Sequence, residues 1–302
     1  MTDATTAAAA DPGKADAKQH DSSIRTAGDL PLPFTHILHP TDLNPDRLNA
    51  YYHAVKLGLA SRSRLDLLHV MTLEQRAFPS VRKTLADWKC ITLDDPTMDL
   101  CDTGLSPQKH SVSGGLIPVI TGAVKGGSFD LLVLSTHNYA KRSKSFVGSK
   151  AEIVSRRSQL PTLFIPRESR GFVEAESGKV NLKKILLPVA ERPHPQLAIT
   201  KLASLLNCLQ VRACEVRLLF VGKKSKFPRV KIFKGEGVKW APMTRFGALT
   251  DSILGVCNAW RPDLVVMPTS SNLRKGDSVF ASQTERVLRE CGCPLLSFPT
   301  KC

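Results

Sequence analysis

Residues 130–135 (DLLVLS) recur as residues 263–268 (DLVVMP), and residues 161–166 (PTLFIP) recur as residues 294–299 (PLLSFP). The two segments start 31 residues apart in both places (161 − 130 and 294 − 263). This shared interval indicates that the chain contains two copies of one unit. Each copy is about 130 to 150 residues long, which is a normal length for a domain.

The beginning of each copy is repeated as well. Residues 37–40 (ILHP) recur as 185–188 (ILLP), and residues 67–70 (LLHV) recur as 218–221 (LLFV). Short apolar runs bounded by turn residues are typical of buried parallel strands. Between the first two strands, apolar residues at intervals of three and four over residues 48–59 predict a helix.

Strands that alternate with helices predict an α/β fold, with a doubly wound parallel sheet and right-handed crossovers in each copy. The last strand of each copy, 162–165 and 295–298, is bracketed by prolines, which sheets tolerate at their edges. We expect these two edge strands to pair, so that the copies form an intramolecular pseudo-dimer. We also expect residues 74–109 to form a loop-rich insertion and residues 116–124 to form a helix.

The repeats and the segments around them predict four parts of the chain. Residues 1–32 are expected to be a disordered tail, because the first 28 are rich in Ala, Asp, Lys and Thr and lack an apolar run. Residues 33–167 form the first predicted domain and residues 181–300 the second. The polar residues 168–180 are predicted to link them.

Composition indicates where the protein works. Hydrophobic residues make up 42% of the chain, and no apolar run approaches the ~20 residues that cross a bilayer, so we expect no membrane contact. Eight cysteines and no secretory signal favour reduced thiols in the cytoplasm. Residues 291–293 (CGC) lack the spacing of a zinc site, and the apolar surroundings of Cys257 predict a core position.

The formal net charge of +15 favours an anionic partner. Lysines and arginines cluster in residues 223–239, but few aromatic residues interleave with them, and no nucleic-acid-binding signature is present. We therefore expect no nucleic-acid partner, and binding of a polyanion by this segment stays the weakest of three functional hypotheses.

Polar residues follow the fourth strand of the first copy, over residues 135–149 (STHNYAKRSKSFVGS). In a doubly wound sheet, ligands bind at the carboxyl ends of the strands. Gly148 and Ser149 precede a predicted helix that includes Lys150. Free backbone N–H groups and the positive end of the helix dipole make such a helix start an anion-binding site.

A purely structural interpretation of Ser149 remains open. Ser149 and Glu152 have the spacing of a capping box, in which the hydroxyl caps the helix and the carboxylate returns a hydrogen bond. Ser282 and Glu285 repeat the same spacing in the second copy. The serine alone therefore predicts a helix start in both copies.

The pattern around the fourth strand resembles the universal stress protein family, and the resemblance covers both copies. Nucleotide-binding members carry G-x2-G-x9-G-[ST] after this strand. Here the frame is Ser135, Asn138, Gly148 and Ser149, so the third glycine and the serine match, while two glycines are replaced. Asn tolerates the left-handed backbone region that glycine provides, so Asn138 is the milder replacement.

Two further strand ends match the family. Pro40 and Asp42 match its Pro-x-Asp after the first strand, where the aspartate contacts the adenosine, and Thr41 lies between them. Val70 matches the position whose backbone holds the adenine. Asp42 has an alternative role as the cap of the helix that follows.

Two residues of the loop complete the candidate site. His137 could approach the phosphates, or form only a local hydrogen bond within the loop. Lys150 adds positive charge beside Ser149, either for the phosphates or as a solvated lysine.

The resemblance implies a cytoplasmic stress-response protein that binds ATP or another adenine nucleotide in the first copy, with Mg²⁺ on the phosphates. Binding would serve as a regulatory switch. Because the sequence offers no general base beside the anion site, we expect at most slow ATP hydrolysis.

The second copy has lost the family's marker positions together. It carries Ala190 in place of Asp42, and Pro268, Ser271 and Ala281 in place of the three glycines. We expect this copy to be a structural partner that binds no nucleotide. The main alternative is that neither copy binds nucleotide, and that the protein works through dimerisation, including homodimers, and surface contacts.

Overall fold

A computed structural model describes residues 30–71, 77–93, 99–136, 150–270 and 278–300 of the chain. In these ranges the backbone forms ten β-strands and seven α-helices. The strands are β1 (His36–Thr41), β2 (Arg64–Val70), β3 (Ser106–Val112), β4 (Leu131–Thr136), β5 (Thr162–Pro166), β6 (Lys184–Val189), β7 (Cys214–Val221), β8 (Val238–Arg245), β9 (Leu264–Ser270) and β10 (Leu295–Thr300). The helices are α1 (Asn49–Ser61), α2 (Val81–Asp87), α3 (Leu116–Gly126), α4 (Lys150–Ser158), α5 (Gln196–Cys208), α6 (Leu249–Trp260) and α7 (Ser278–Glu290).

All ten strands form one sheet in the order β3-β2-β1-β4-β5-β10-β9-β6-β7-β8. Each half has the same internal order, with its first strand between its second and fourth, which is a doubly wound arrangement. Neighbouring strands within each half run parallel. The predicted α/β fold with two doubly wound copies is confirmed.

The two halves meet where β5 and β10 pair antiparallel, with Leu163 opposite Leu296 and Thr162 opposite Ser297. The Ser297 hydroxyl also donates a hydrogen bond to the carbonyl of Thr162 at 3.3 Å. The last strands of the two copies therefore pair as the prolines predicted. The outermost strands of the complete sheet are β3 and β8.

The apolar core divides by sheet face rather than by copy. One cluster contains Ile37 and Val133 of the first copy together with Ile185 and Val266 of the second. The other cluster contains the sequence neighbours of these residues in the same strands, such as Leu38 and Leu132, and it also includes residues of both copies. Since successive side chains of a strand point to opposite faces, each core lies on one face and spans both copies.

The expected loop-rich insertion over residues 74–109 is only partly correct. The region contains α2 and the first part of β3. Strand β3 (SPQKHSV) is an outermost strand whose residues are partly or fully exposed, so it lacks the apolar run by which buried strands are recognised. Strand β8, at the other edge, is missed for the same reason.

The segment between β5 and β6 is anchored to the first copy. Phe172 and Val173 are 1% and 3% exposed. Their backbone N–H groups donate hydrogen bonds to Nε2 of His53 at 2.9 and 3.2 Å, and Nδ1 of His53 bonds to the carbonyl of Asn49 at 2.7 Å. The imidazole of α1 thus fixes the chain shortly after it leaves β5.

Replacing Gly171 with alanine is expected to destabilise the protein by about 1–3 kcal/mol. Gly171 has a φ of +68°, and a Cβ there would overlap the imidazole of His53. Urea denaturation measures the change in the free energy of unfolding. Gly122→Ala is the control, because nothing lies within 4 Å of a Cβ at this helical position, and it should stabilise by about 0.5–1 kcal/mol. Equal effects of the two substitutions would contradict the packing described.

Acid is expected to destabilise the fold through His53. Burial lowers the pKa of His53 to about 4, whereas an unfolded histidine titrates near 6.5. The unfolded state therefore binds a proton that the folded state excludes, so stability that is present above pH 6.5 is lost as the pH falls toward 4.

Between pH 7 and pH 5, the titration of His53 alone should lower the free energy of unfolding by about 2 kcal/mol. Urea denaturation at both pH values measures the free energy of unfolding. Between pH 7 and pH 5 this free energy should fall by about 2 kcal/mol less in His53→Gln than in the wild type. Equal losses in the two proteins would show that His53 has the same pKa in the folded and unfolded states, which would contradict its burial as a neutral imidazole.

Candidate functional site

Strands β1, β2, β4 and β5 are parallel, so their carboxyl ends meet at one edge of the sheet. Three polar side chains come together there. Asp42 follows β1, Ser135 is the last residue but one of β4, and Arg167 follows β5. The backbone N–H of Arg167 donates to the carbonyl of Thr136 at 2.9 Å, which extends the β4–β5 pairing and holds Arg167 at this edge.

Arg167 joins the other two side chains. Its Nη2 donates to Oδ2 of Asp42 at 3.1 Å, and its Nε donates to Oγ of Ser135 at 3.3 Å. Arg47 is a second cation near the carboxylate, with Nη1 at 3.6 Å from Oδ2 of Asp42. The Asp42 side chain is 47% exposed and that of Arg167 is 20% exposed, so the cluster is accessible from solvent.

Asp42 shapes the turn that leaves β1. Its Oδ1 accepts a hydrogen bond from the backbone N–H of Asn44 at 3.2 Å, and Oγ1 of Thr41 accepts one from the N–H of Leu43 at 3.1 Å. Helix α1 is preceded by Leu48, and no side chain caps it. The alternative in which Asp42 caps this helix is therefore wrong, and its carboxylate instead faces the two arginines.

The other predicted residues that the structure describes lie around this cluster. Pro40 is partly buried and lies opposite Leu68 in the β1–β2 register. Val70 ends β2 with its side chain 8% exposed, in the core of one face. Lys150 is exposed and is the first residue of α4. The predicted residues His137, Asn138, Gly148 and Ser149 lie outside the described residues, so the phosphate loop stays a prediction.

His39 lies one residue before Pro40 and is a packed side chain. It is 3% exposed, and its Nδ1 is 2.9 Å from the carbonyl oxygen of Val133. Burial lowers the pKa of His39 to about 4, so the imidazole is neutral at physiological pH. It offers neither a positive charge to a phosphate nor an exposed base to a reaction.

Arg167 is the site residue that the sequence analysis missed. It lies beyond the glycine frame that directed attention to residues 135–149. A signal was nevertheless present, because Arg167 directly follows a buried strand, as Asp42 does. The same criterion applied to every strand end would have found it.

A groove of about 720 Å³ adjoins Arg167. Its walls are the first turn of α1, residues 169–176, and Asp263, which precedes β9 of the second copy. This volume falls in the range of small-molecule sites. Charged residues of both signs line it, among them Arg167, Arg170, Glu174 and Glu176.

The second copy lacks the cluster. By the spacing of the repeats, Ala190, Pro268 and Thr300 stand where the first copy has Asp42, Ser135 and Arg167. The Thr300 hydroxyl donates to the carbonyl of Thr269 at 3.1 Å, within its own sheet. Among the described residues, the three-way contact is therefore a property of the first copy.

The predicted capping box of the second copy is wrong. Helix α7 begins at Ser278, so Ser282 lies inside the helix and cannot cap its start. In the first copy, Glu152 is 6% exposed, and its Oε2 accepts a hydrogen bond from Nη2 of Arg289 at 3.3 Å. The Glu152 carboxylate thus links α4 to α7 of the other copy.

Two features are absent from the described ranges. No described helix is long and apolar enough to span a membrane. The same residues contain no group of three or more His, Cys, Asp or Glu side chains placed to hold a metal ion.

The fold and its polar strand ends define an α/β protein of the class that binds ligands at the carboxyl edge of a parallel sheet. Residues 33–166 match the model of the Universal stress protein family. The match covers the first copy, so this domain, rather than the whole chain, is the part that the family model identifies. No curated protein matches the chain at a significant level.

Solved structures share the fold over most of the chain. A universal stress protein from Archaeoglobus fulgidus DSM 4304 is 13% identical, with a TM-score of 0.56 over 87% of this chain and 98% of its own. A functionally unknown protein, PA1789 from Pseudomonas aeruginosa PAO1, is 13% identical, with a TM-score of 0.57 over 88% and 92%. A universal stress protein in complex with cAMP is 19% identical over 45% of this chain and 99% of its own, with a TM-score of 0.32. Because this score is low, the bound cAMP of that protein is not attributed to this chain.

The ion pair of Asp42 and Arg167 is expected to contribute little to stability, about 0.2–1 kcal/mol, because Asp42 is half exposed. A double-mutant cycle of Asp42→Ala, Arg167→Ala and the combined variant, followed by urea denaturation, measures this coupling. Variants of the pair should therefore fold normally and be suitable for binding experiments. A coupling energy above about 2 kcal/mol would contradict the exposure of the cluster.

Proposed function

We propose that the first copy binds ATP or another adenine nucleotide at the edge formed by β1, β2, β4 and β5. Binding would act as a regulatory switch in a cytoplasmic stress response, with the second copy as a non-binding structural partner. The observation that supports this most is the contact of Arg167 with both Asp42 and Ser135. It lies where doubly wound sheets bind ligands, and the second copy lacks it.

The chemistry of the cluster suits a nucleotide. The half-exposed carboxylate of Asp42 can accept hydrogen bonds from ribose hydroxyls, which is consistent with the contact to the adenosine that the family resemblance implies. The guanidinium of Arg167 carries donors in a fork that matches phosphate oxygens. On binding, Arg167 would exchange part of its contact with Asp42 for a phosphate, and this exchange is the switching step of the proposal.

The phosphates would extend toward the start of α4. Lys150 is exposed at the first residue of this helix, and the predicted loop with Gly148 and Ser149 precedes it. Helix N-termini favour anions. Both described arginines at Asp42 compete for its carboxylate, so Mg²⁺ would be held by phosphate oxygens and water rather than by Asp42.

Slow hydrolysis or none follows from the same residues. His39 is 3% exposed, and its Nδ1 is engaged by the carbonyl of Val133, so it offers no accessible base to a water beside the phosphates. Asp42 is the carboxylate of the described cluster, and its Oδ2 already lies within ion-pair distance of two arginines. The proposal is therefore a binding protein rather than an enzyme.

A second candidate function is a protein that binds no nucleotide and acts through dimerisation and surface contacts. One observation favours it. Ser135 replaces a family glycine, and its hydroxyl holds Arg167 across the place where a ligand would approach β4. In this alternative the cluster stabilises the edge of the sheet and is never opened.

Calorimetric titration of the full chain with ATP and Mg²⁺ separates the two functions. We expect saturable binding at one site per chain. Asp42→Ala, which copies the residue of the second copy, should weaken binding about tenfold or more through loss of charge-assisted hydrogen bonds. Gly148→Val should also weaken it, because a side chain there blocks the backbone from the phosphates.

The matched control is Glu191→Ala, which removes an exposed carboxylate beside Ala190 in the second copy and changes the net charge equally. Its affinity for ATP should equal that of the wild type. If the wild type binds no ATP, the nucleotide proposal is wrong. If Asp42→Ala binds as tightly as Glu191→Ala, the site lies elsewhere.

A further inference from the structure

Three thiols of the second copy lie together on one face of the sheet. Cys257 belongs to α6, and Cys291 and Cys293 flank Gly292 in the turn between α7 and β10. Sγ of Cys291 is 3.0 Å from Sγ of Cys257 and 3.2 Å from Sγ of Cys293. Cys291 is therefore the centre of the group, with one partner on each side.

These distances fit disulfide chemistry better than metal binding. Thiolates around a tetrahedral zinc, at the usual Zn–S length, are separated by about 3.8 Å. The two sulfur–sulfur distances here are shorter, and the described residues contain no arrangement that would hold a metal. Little movement is needed for either neighbour to form a bond to Cys291.

The surroundings favour reaction at Cys291 first. The close thiol contacts with Cys257 and Cys293 hold the pKa of Cys291 well below the usual range of a thiol, although burial opposes this. The same interaction raises the pKa of Cys257 and that of Cys293, so these two stay protonated. Cys291 is also partly exposed, whereas Cys257 is only 4% exposed.

We propose that Cys257, Cys291 and Cys293 form a peroxide-reactive thiol site, in which Cys291 is oxidised first and then forms a reversible disulfide with Cys257. Cys293 is the alternative partner when Cys257 is absent. The proposal is independent of nucleotide binding, since all three residues belong to the second copy.

The two steps balance with a peroxide as the oxidant. The Cys291 thiolate attacks one oxygen of hydrogen peroxide, the O–O bond breaks, and the departing hydroxide takes up a proton to give water. Cys291 is then a sulfenic acid. The Cys257 sulfur attacks the Cys291 sulfur, the S–O bond breaks, and the hydroxide leaves as water with the Cys257 proton. The two thiols lose two electrons in total, and the peroxide gains them.

The repeats provide an internal reference for this site. By the constant offset between the copies (263 − 130 and 294 − 161), the first copy has Val124, Ser158 and Leu160 at the three positions. The thiols are thus absent from the corresponding place in the same fold. A disulfide from Cys257 to Cys291 would join α6 to the turn that leads into β10, the strand that pairs with the first copy.

Peptide mass spectrometry tests the site in the full chain. The reduced protein is treated with one equivalent of hydrogen peroxide, alkylated and digested with trypsin. We expect a cross-link between peptides 246–274 and 290–301 that a reductant removes. The exposed thiols Cys90 and Cys101 serve as comparators in the same sample and should be oxidised at least tenfold less.

Substitutions copied from the first copy complete the test. Cys291→Ser should abolish oxidation of both neighbours. Cys257→Val should shift the product to a disulfide within peptide 290–301, detected as the loss of two hydrogens. The proposal is overturned if Cys90 and Cys101 are oxidised first while the three clustered thiols remain reduced and are recovered in alkylated form. It is also overturned if Cys257 is oxidised equally in Cys291→Ser and in the wild type. Finding one zinc ion bound to these thiols in the purified chain would contradict it as well.

Discussion

The antiparallel pairing of β5 with β10 is the constraint on which the rest of the structure depends. It joins two parallel sheets into one and lets each apolar core extend across both copies. It also reverses the direction of the second sheet relative to the first. The carboxyl ends of the two sets of strands therefore lie at opposite edges, and a ligand site of one copy cannot merge with that of the other.

The same pairing places Arg167 in a particular position. Because β5 is the strand at the junction, the residue that follows it lies between the ligand edge of its own copy and the beginning of β9 in the second copy. The groove beside Arg167 accordingly includes Asp263 from the second copy. Arg167 and Asp263 line the same groove, so the exchange of contacts proposed for Arg167 would take place where the two copies meet.

The sequence predicted the central strands well because they are buried on both faces. Their apolar runs recur between the copies, and prolines identified β5 and β10 as partners. Strands β3 and β8 were missed because outermost, exposed strands carry no apolar run. Arg167 was missed because the family motif directed attention to residues 135–149. Its contacts with Asp42 and Ser135 span 125 and 32 residues, which spacing rules do not detect.

The thiol cluster shows the same limit of sequence reasoning. The C-x-C spacing of residues 291–293 does not match that of a zinc site. Cys257 was correctly expected to be a core residue. Only the fold brings Cys257 next to Cys291, over a separation of 34 residues. The contact of Cys257 in α6 with Cys291 in the turn after α7 is set by tertiary packing. Local spacing patterns, which relate residues three or four apart in a helix, do not encode it.

Hydrogen–deuterium exchange with and without Mg²⁺ and ATP tests the central claim most directly, because it compares the two copies in one molecule. The account predicts slower exchange in the nucleotide-bound protein at residues 40–48 and 166–172 of the first copy. The corresponding strand ends of the second copy, residues 188–196 and 299–300, should be unchanged. Protection at the second copy's strand ends, or no protection at either edge, would contradict the claim that the first copy is the binding half.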